Sequence, residues 1–206
     1  KRTMTRMFEA CKTLCVALFA ALMLFGCRSS APPVEFYTLS ATRMQAEANT
    51  ITAGKPVSVG VGPVTIPQVL DRPQIVIRTS PNKLQIDEFH RWAGRLDEDF
   101  ARVVAENISL MLPTEQVAVY PWDASFKPQY QVILDIQRFE GRMGKGDVLL
   151  EVFWKVIDPQ QTTTLRIKRS VITEPFTATD YDTLVATKSR AIEKLSQIIT
   201  KEIICL

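Results

Sequence analysis

Tyr130-Gln131-Val132-Ile133-Leu134-Asp135-Ile136 and Val148-Leu149-Leu150-Glu151-Val152-Phe153-Trp154-Lys155-Val156 decide the fold. In the first stretch Tyr130, Val132, Leu134 and Ile136 alternate with Gln131 and Asp135; in the second Val148, Val152, Trp154 and Val156 alternate with Glu151 and Lys155. A period of two sends one set to a buried face and the other toward solvent, so each stretch reads as a strand. The glycine-rich link Gly141 to Asp147 makes the pair a hairpin. Asp158-Pro159 turns the chain into a third strand through Leu165, Ile167 and Val171, which completes an antiparallel meander.

Two segments beside the meander change period. Leu96, Phe100, Val103, Val104, Ile108, Met111 and Leu112 recur at helical spacing, with Asp97, Glu98 and Asp99 in a solvated first turn and Pro113 beyond the end. Thr179-Asp180 caps a final helix with the stripe Leu184, Val185, Ala191, Ile192, Leu195, Ile198 and Ile199. Upstream, Glu35 to Leu39 reads as a short strand, and Val57, Val59 and Val61 alternate with small residues as another. Ile75 to Ile77 is a strand core with Lys83 to Phe89 as its hairpin partner across Ser80-Pro81-Asn82, and Gln116 to Tyr120 is the last strand. Two helices and six to eight strands in this order predict an α/β sandwich, a mixed sheet with a long antiparallel meander packed by two main helices.

The first residues have another purpose. Lys1, Arg2, Arg6 and Lys12 precede the uncharged run Leu14 to Phe25, too short for the ~20 apolar residues of a membrane span. Leu24-Phe25-Gly26-Cys27 resembles a lipobox, in which a peptidase cuts before a diacylated cysteine. Residues 1–26 are therefore expected to be a lipoprotein signal peptide, with initiation at Met4 or Met7, and residues 27–33 an acylated cysteine and tether. Residues 34–206 are expected to form a single periplasmic α/β domain. Cys27 would carry a diacylglycerol and an N-acyl chain such as palmitate, together enough for stable anchoring. By the sorting rule that this resemblance carries, Arg28 in place of an aspartate points to the outer membrane.

Segment 1–26 holds four basic residues and one acid, so the +3 of the full chain falls to zero over the remainder. Nucleic acid is therefore not an expected partner. Past Cys27 only Cys205 remains, which excludes an internal disulfide; it reads as a small buried hydrophobe or, alternatively, as the site of an intermolecular disulfide. His90 is the sole histidine and no G-x-S-x-G elbow occurs, so no catalytic set can be assembled and His90 reads as a surface or packing residue. His90 and Cys205 cannot furnish a metal tetrad, and no cofactor motif stands out. Gly141-Arg142-Met143-Gly144-Lys145-Gly146 lacks the hydroxyl residue and following helix of a phosphate loop, and reads as a hairpin turn.

Gly62-Pro63-Val64-Thr65-Ile66-Pro67-Gln68-Val69-Leu70-Asp71-Arg72-Pro73-Gln74-Ile75-Val76, with Arg91-Trp92-Ala93 and Val119-Tyr120-Pro121-Trp122, closely resembles the ABC-type transport auxiliary lipoprotein family. The resemblance runs through essentially the whole chain after Cys27. It implies a fold similar to the N-terminal domain of TolB, an outer-membrane tether, and a non-enzymatic role beside MCE-protein systems, which carry lipids between the two membranes. The implied partner is an MCE-domain protein, with a homo-oligomer also open. Within that reading Pro67, Leu70, Asp71, Arg72, Pro73 and Gln74 form the candidate partner-contact loop, because a proline-bounded loop presents a fixed shape at little entropic cost. An internal salt bridge of Arg72 is the alternative role for that residue. A different class, a lipid-binding or lipoprotein-receiving module with an acyl-chain pocket between sheet and helices, is the alternative function.

Overall fold

Strand β6 (Tyr130–Arg142) organises the molecule. The computed structural model describes residues 32–41, 57–112, 114–177 and 180–206, of which Val34–Leu206 belong to one compact unit. The lipobox with Cys27, the rest of the expected signal and Thr179 lie outside the described residues. Along one edge β6 pairs antiparallel with β7 (Asp147–Asp158), from Gln131 opposite Ile157 to Arg142 opposite Asp147. In turn β7 pairs antiparallel with β8 (Thr163–Pro175), so the meander read from the alternation is present.

The other edge of β6 takes two partners in tandem. Parallel strand β2 (Val59–Thr65) covers its first half, with Val61 opposite Val132 and Thr65 opposite Asp135. Parallel strand β3 (Gln74–Ser80) covers only its end, with Ile77 opposite Gly141 and Arg78 opposite Arg142. Between these registers, Ile136 to Glu140 faces neither strand. Outward from this junction β3 pairs antiparallel with β4 (Lys83–Trp92), β1 (Glu35–Tyr37) adds parallel to β4, and β5 (Val117–Val119) adds parallel to β2. The result is one mixed sheet of eight strands.

Helices α1 (Leu96–Met111) and α2 (Tyr181–Ile204) pack on each other and on the sheet. Val59, Val61, Val132, Leu134, Ile136, Val152, Trp154 and Val156 line the face they cover, each of them at most 2% exposed. Fully burying one such side chain contributes roughly 1.5–3 kcal/mol, so this layer is the main source of stability. Phe100 of α1 meets Phe139 of β6 edge-on at 5.4 Å between ring centroids, which ties helix to sheet at the centre. Asp180 caps α2 by accepting the Thr183 amide proton at 2.7 Å, as its position ahead of the apolar stripe predicts.

Glycines allow two close approaches. A Cβ on Gly60 would lie 2.5 Å from the Trp122 indole, and one on Gly141 would lie 2.5 Å from Leu184 Cδ1. Trp122 therefore lies over β2, and α2 comes down close to β6 at Gly141.

Three expectations need correction. In β8, Ile167 and Val171 are exposed whereas Ser170, Ile172 and Glu174 are buried. The inward polar groups have partners there: Ser170 accepts from Trp154 Nε1 at 2.9 Å, and Glu174 pairs with Lys194 of α2. Cys205 is exposed, because it lies two positions past buried Ile203 and hence about 200° round the helix from it. Ile198 is 38% exposed, one position off the buried Ile199.

Candidate functional site

The chain between β2 and β3 connects two strands that lie in tandem along β6, and it does so with two prolines, Pro67 and Pro73, that fix φ. The turn is closed by its own backbone: the Leu70 amide donates to the Pro67 carbonyl at 2.8 Å and the Arg72 amide to the Leu70 carbonyl at 2.9 Å. Its far end is held by the Trp92 amide, which donates to the Pro73 carbonyl at 2.7 Å. Leu70 is buried and anchors the turn in the core, and the partly buried Ile66 and Val69 pack against that core as well. Leu70 is thus unavailable to a partner. Asp71 and Pro73 are exposed, while Pro67, Arg72 and Gln74 are half-buried.

Arg72 makes no ion pair among the described residues, and its buried Nε has no hydrogen-bond acceptor there. Asp71 acts electrostatically on Arg95 at the start of α1, and Gln74 Nε2 donates to Glu88 at 3.2 Å. The loop is therefore rigid underneath and polar on top. Beyond the other end of β5, Tyr120 is 52% exposed with its ring edge-on to Trp122, which in turn meets Phe126. This aromatic corner flanks β2, since the Tyr120 amide donates to the Val61 carbonyl at 2.8 Å. The sequence placed Tyr120 at the end of a strand and within the Val119-Tyr120-Pro121-Trp122 motif, but the strand stops at Val119 and leaves Tyr120 exposed on this corner.

A buried ionic group occupies the unpaired stretch of β6. Lys188 of α2 is 1% exposed and donates to the Phe139 carbonyl at 2.7 Å, with its ammonium 4.0 Å from the Phe139 ring centre. The amine thus satisfies a backbone acceptor in the stretch that neither β2 nor β3 covers. Burial pushes the Lys188 amine down to about 7, against a smaller upward pull from Glu140. Glu140, also buried, accepts from Arg78 Nε at 2.5 Å, Arg78 Nη2 at 2.7 Å and Arg138 Nη2 at 3.1 Å. Burial works to raise its carboxyl, yet the arginine hydrogen bonds hold it below the usual carboxylate range.

His90 sits in a closed array. Its Nδ1 is 2.8 Å from Asp87 Oδ1, its ring stacks on Tyr181 at 3.8 Å, and the Tyr181 hydroxyl donates to Asp87 Oδ2 at 2.9 Å. Burial opposes the Asp87 charge, but hydrogen bonds from His90, the Phe89 amide and Tyr181 lower its pKa. The array latches β4 to the first turn of α2, and a second such clasp was missed from sequence. Asp99, read as part of a solvated helix start, accepts from the Leu39 amide at 2.7 Å and from the Thr38 hydroxyl at 3.0 Å, while Arg102 donates to the Leu39 carbonyl at 2.6 Å. Among the described residues no group of three or more His, Cys, Asp or Glu is placed to hold a metal ion, and no helix is long and apolar enough to cross a membrane.

Comparison with known proteins fits this architecture. A crystal structure of an uncharacterized protein superposes with a TM-score of 0.69 at 21% identity, over 84% of this chain and 99% of the other. Protein XCC0632 from Xanthomonas campestris superposes with a TM-score of 0.67 at 16% identity, over 81% and 93%. Both likenesses concern the fold. In sequence, the intermembrane transport lipoprotein PqiC of Escherichia coli strain K12 is 28% identical over 135 residues, 66% of this chain and 69% of PqiC. The model of the ABC-type transport auxiliary lipoprotein component matches residues 37–200, from the first strand into the last helix and across the tandem β2–β3 loop, and the chain belongs to that family.

Proposed function

We propose that this lipoprotein is held at the periplasmic face of the outer membrane through Cys27 and serves as a non-enzymatic docking component of an MCE-type intermembrane lipid transport system. Membership of an auxiliary transport family and similarity to PqiC, an intermembrane transport lipoprotein, support the transport role. The observation that carries the docking reading is the β2–β3 loop. Its backbone is closed on itself, Leu70 roots it in the core, and Asp71 and Pro73 are presented outward. Such a surface binds with little ordering cost, and its charge selects partners. Side chains including Phe100, Phe139, Leu134 and Ile192 fill the space between helices and sheet, which favours docking over storage of an acyl chain.

Asp71→Arg is the cleanest probe, because Asp71 is exposed and its replacement should change stability by no more than about 0.5 kcal/mol. Co-purification of the full-length variant with the MCE-domain protein from solubilised envelopes should fall about tenfold while the melting temperature holds. Undiminished co-purification would move the contact surface elsewhere. Arg72→Glu should lower both, since its Nε is buried. Cys27→Ser should leave the precursor unprocessed and absent from outer-membrane fractions; correctly processed, membrane-bound variant would refute the anchor.

A further inference from the structure

Two turns meet at the end of the sheet where β3 and β6 finish. Between them lies a cavity of about 480 Å³, walled by Arg78, Thr79, Ser80 and Pro81 on one side and by Arg138, Arg142, Gly144 and Lys145 on the other. Half of these residues are cationic, and none is acidic. Two carboxylates hold the arginines from outside the lining. Glu140 takes Arg78 through two nitrogens and Arg138 through one, while Asp147 takes Arg142 Nε at 2.6 Å and Nη2 at 2.7 Å. Arg78 is fixed further by donating from Nη1 to the Pro81 carbonyl at 2.8 Å.

The four cations exceed these two carboxylates by two charges. Arg142 Nη1, Arg138 Nε and Nη1, and the Lys145 ammonium have no protein acceptor among the described residues, so donor capacity is left over around the cavity. Guanidinium groups already held in place lose little freedom when an oxyanion joins them, and their planar forks suit phosphate oxygens. A Cβ at Gly144 would approach only the Thr79 carbonyl, at 3.7 Å, which leaves room beside that turn. The volume exceeds what one phosphate fills and falls within the range of small-molecule sites.

We propose that this cavity binds a phosphate ester, with the phosphate between Arg142, Arg138 and Lys145 and the esterified group in the remaining space. The site differs from a phosphate loop: its phosphate contacts are side-chain cations of the β6–β7 hairpin, with Arg78 of the β3–β4 hairpin walling the far side, instead of amides at a helix start. It is independent of the β2–β3 docking surface.

The test is calorimetric titration of the full chain in dodecyl maltoside with inorganic phosphate, with sn-glycerol 3-phosphate, and with mixed micelles containing phosphatidylglycerol or phosphatidylcholine. Saturable binding of sn-glycerol 3-phosphate is expected. Lys145→Glu should weaken it at least roughly tenfold and Lys145→Gln by less, whereas Lys201→Glu on the exposed side of α2 should leave it unchanged. A response to phosphatidylglycerol that phosphatidylcholine does not produce, and that Lys145→Glu removes, supports the site and assigns it to lipid headgroups. Tighter binding of sn-glycerol 3-phosphate than of inorganic phosphate, without a lipid response, supports the site and assigns it to free phosphate esters, whereas equal binding of the two would overturn the ester assignment. Lys145 lies in an exposed turn without an ion partner, so both variants should fold, as near-ultraviolet circular dichroism would verify. Absence of saturable binding of every probe at millimolar concentration, or wild-type affinity in Lys145→Glu, would overturn the proposal.

Discussion

The two halves of β6 are built on opposite principles. Where β2 covers it, Val59, Val61, Val132 and Leu134 form an apolar layer, with the strands paired on both sides of one register shift between Val61 and Val64. Where β2 has peeled away and β3 has barely joined, Lys188, Glu140, Arg78 and Arg138 supply charges, and one of them completes the backbone hydrogen bonding. The first half is held by burial, which scarcely responds to salt or proton concentration. The second half is held by charge-assisted hydrogen bonds, whose strength depends on protonation.

The comparison can be broken most strongly from the apolar side. Leu134→Ala should lower stability by about 3 kcal/mol through the lost transfer energy and the cavity left behind, and urea denaturation should give nearly the same loss at pH 5 and pH 8. Glu140→Gln should cost about 2 kcal/mol at pH 7, moderated because Arg78 and Arg138 are partly solvated and can recover water. Since the folded Glu140 carboxyl has a lowered pKa, its stabilisation is present above the unfolded value near 4.3 and disappears as pH falls through the folded one. The gap between wild type and Glu140→Gln should therefore close in acid; a constant gap would argue against the ionic account.

Lys188→Met sharpens the contrast with a smaller effect. At pH 7 it should lie within about 1 kcal/mol of wild type, because relief from burying an amine offsets the lost bond to Phe139. The folded amine titrates near 7 and the unfolded one near 10.4, so the wild type gains stability from this group as pH rises between those values. Melting curves from pH 6 to 10 should show that gain in wild type and its loss in the variant. His90→Ala should have the least effect, no more than about 1 kcal/mol, because its half-exposed ring only joins β4 to α2. Complementation of a membrane-barrier defect should remain intact; a null phenotype in a folded variant would restore a chemical role for His90.

Alternation and helical spacing were sufficient for the meander and both helices, because Val132, Leu134, Val152 and Trp154 have only one face on which to bury. They failed at β8. There the inward positions other than Ile172 are polar, and their partners Trp154, Lys194 and Glu202 lie on other elements, so no local period could reveal which side faced α2. The same limit applies to the sites. Prolines marked the β2–β3 loop as rigid, but Leu70 as its anchor became visible only in three dimensions. Gly141 to Gly146 reads as a turn, and the turn is Met143 to Gly146 with Gly141 and Arg142 still in β6, yet the basic cavity beside it is also walled by Arg78, which comes from another hairpin far earlier in the chain. Asp99 was hidden in an acidic run, and its role emerged only once Leu39 lay against it.

That Asp99 contact has a mechanical consequence. Strand β1 has three residues, which alone would give way easily under tension. Immediately after it, the Thr38–Leu39 backbone and hydroxyl are gripped by Asp99 and Arg102 of α1, Leu39 is 1% exposed, and the Ala93 amide holds the Tyr37 carbonyl at 2.8 Å. These bonds lie side by side at the inner end of β1. A force drawn along the chain ahead of Val34 therefore acts first on the pairing of β1 with β4, and the grip on Thr38 and Leu39 keeps it from passing further, so the first event under load is the loss of one short edge strand with the other seven left paired.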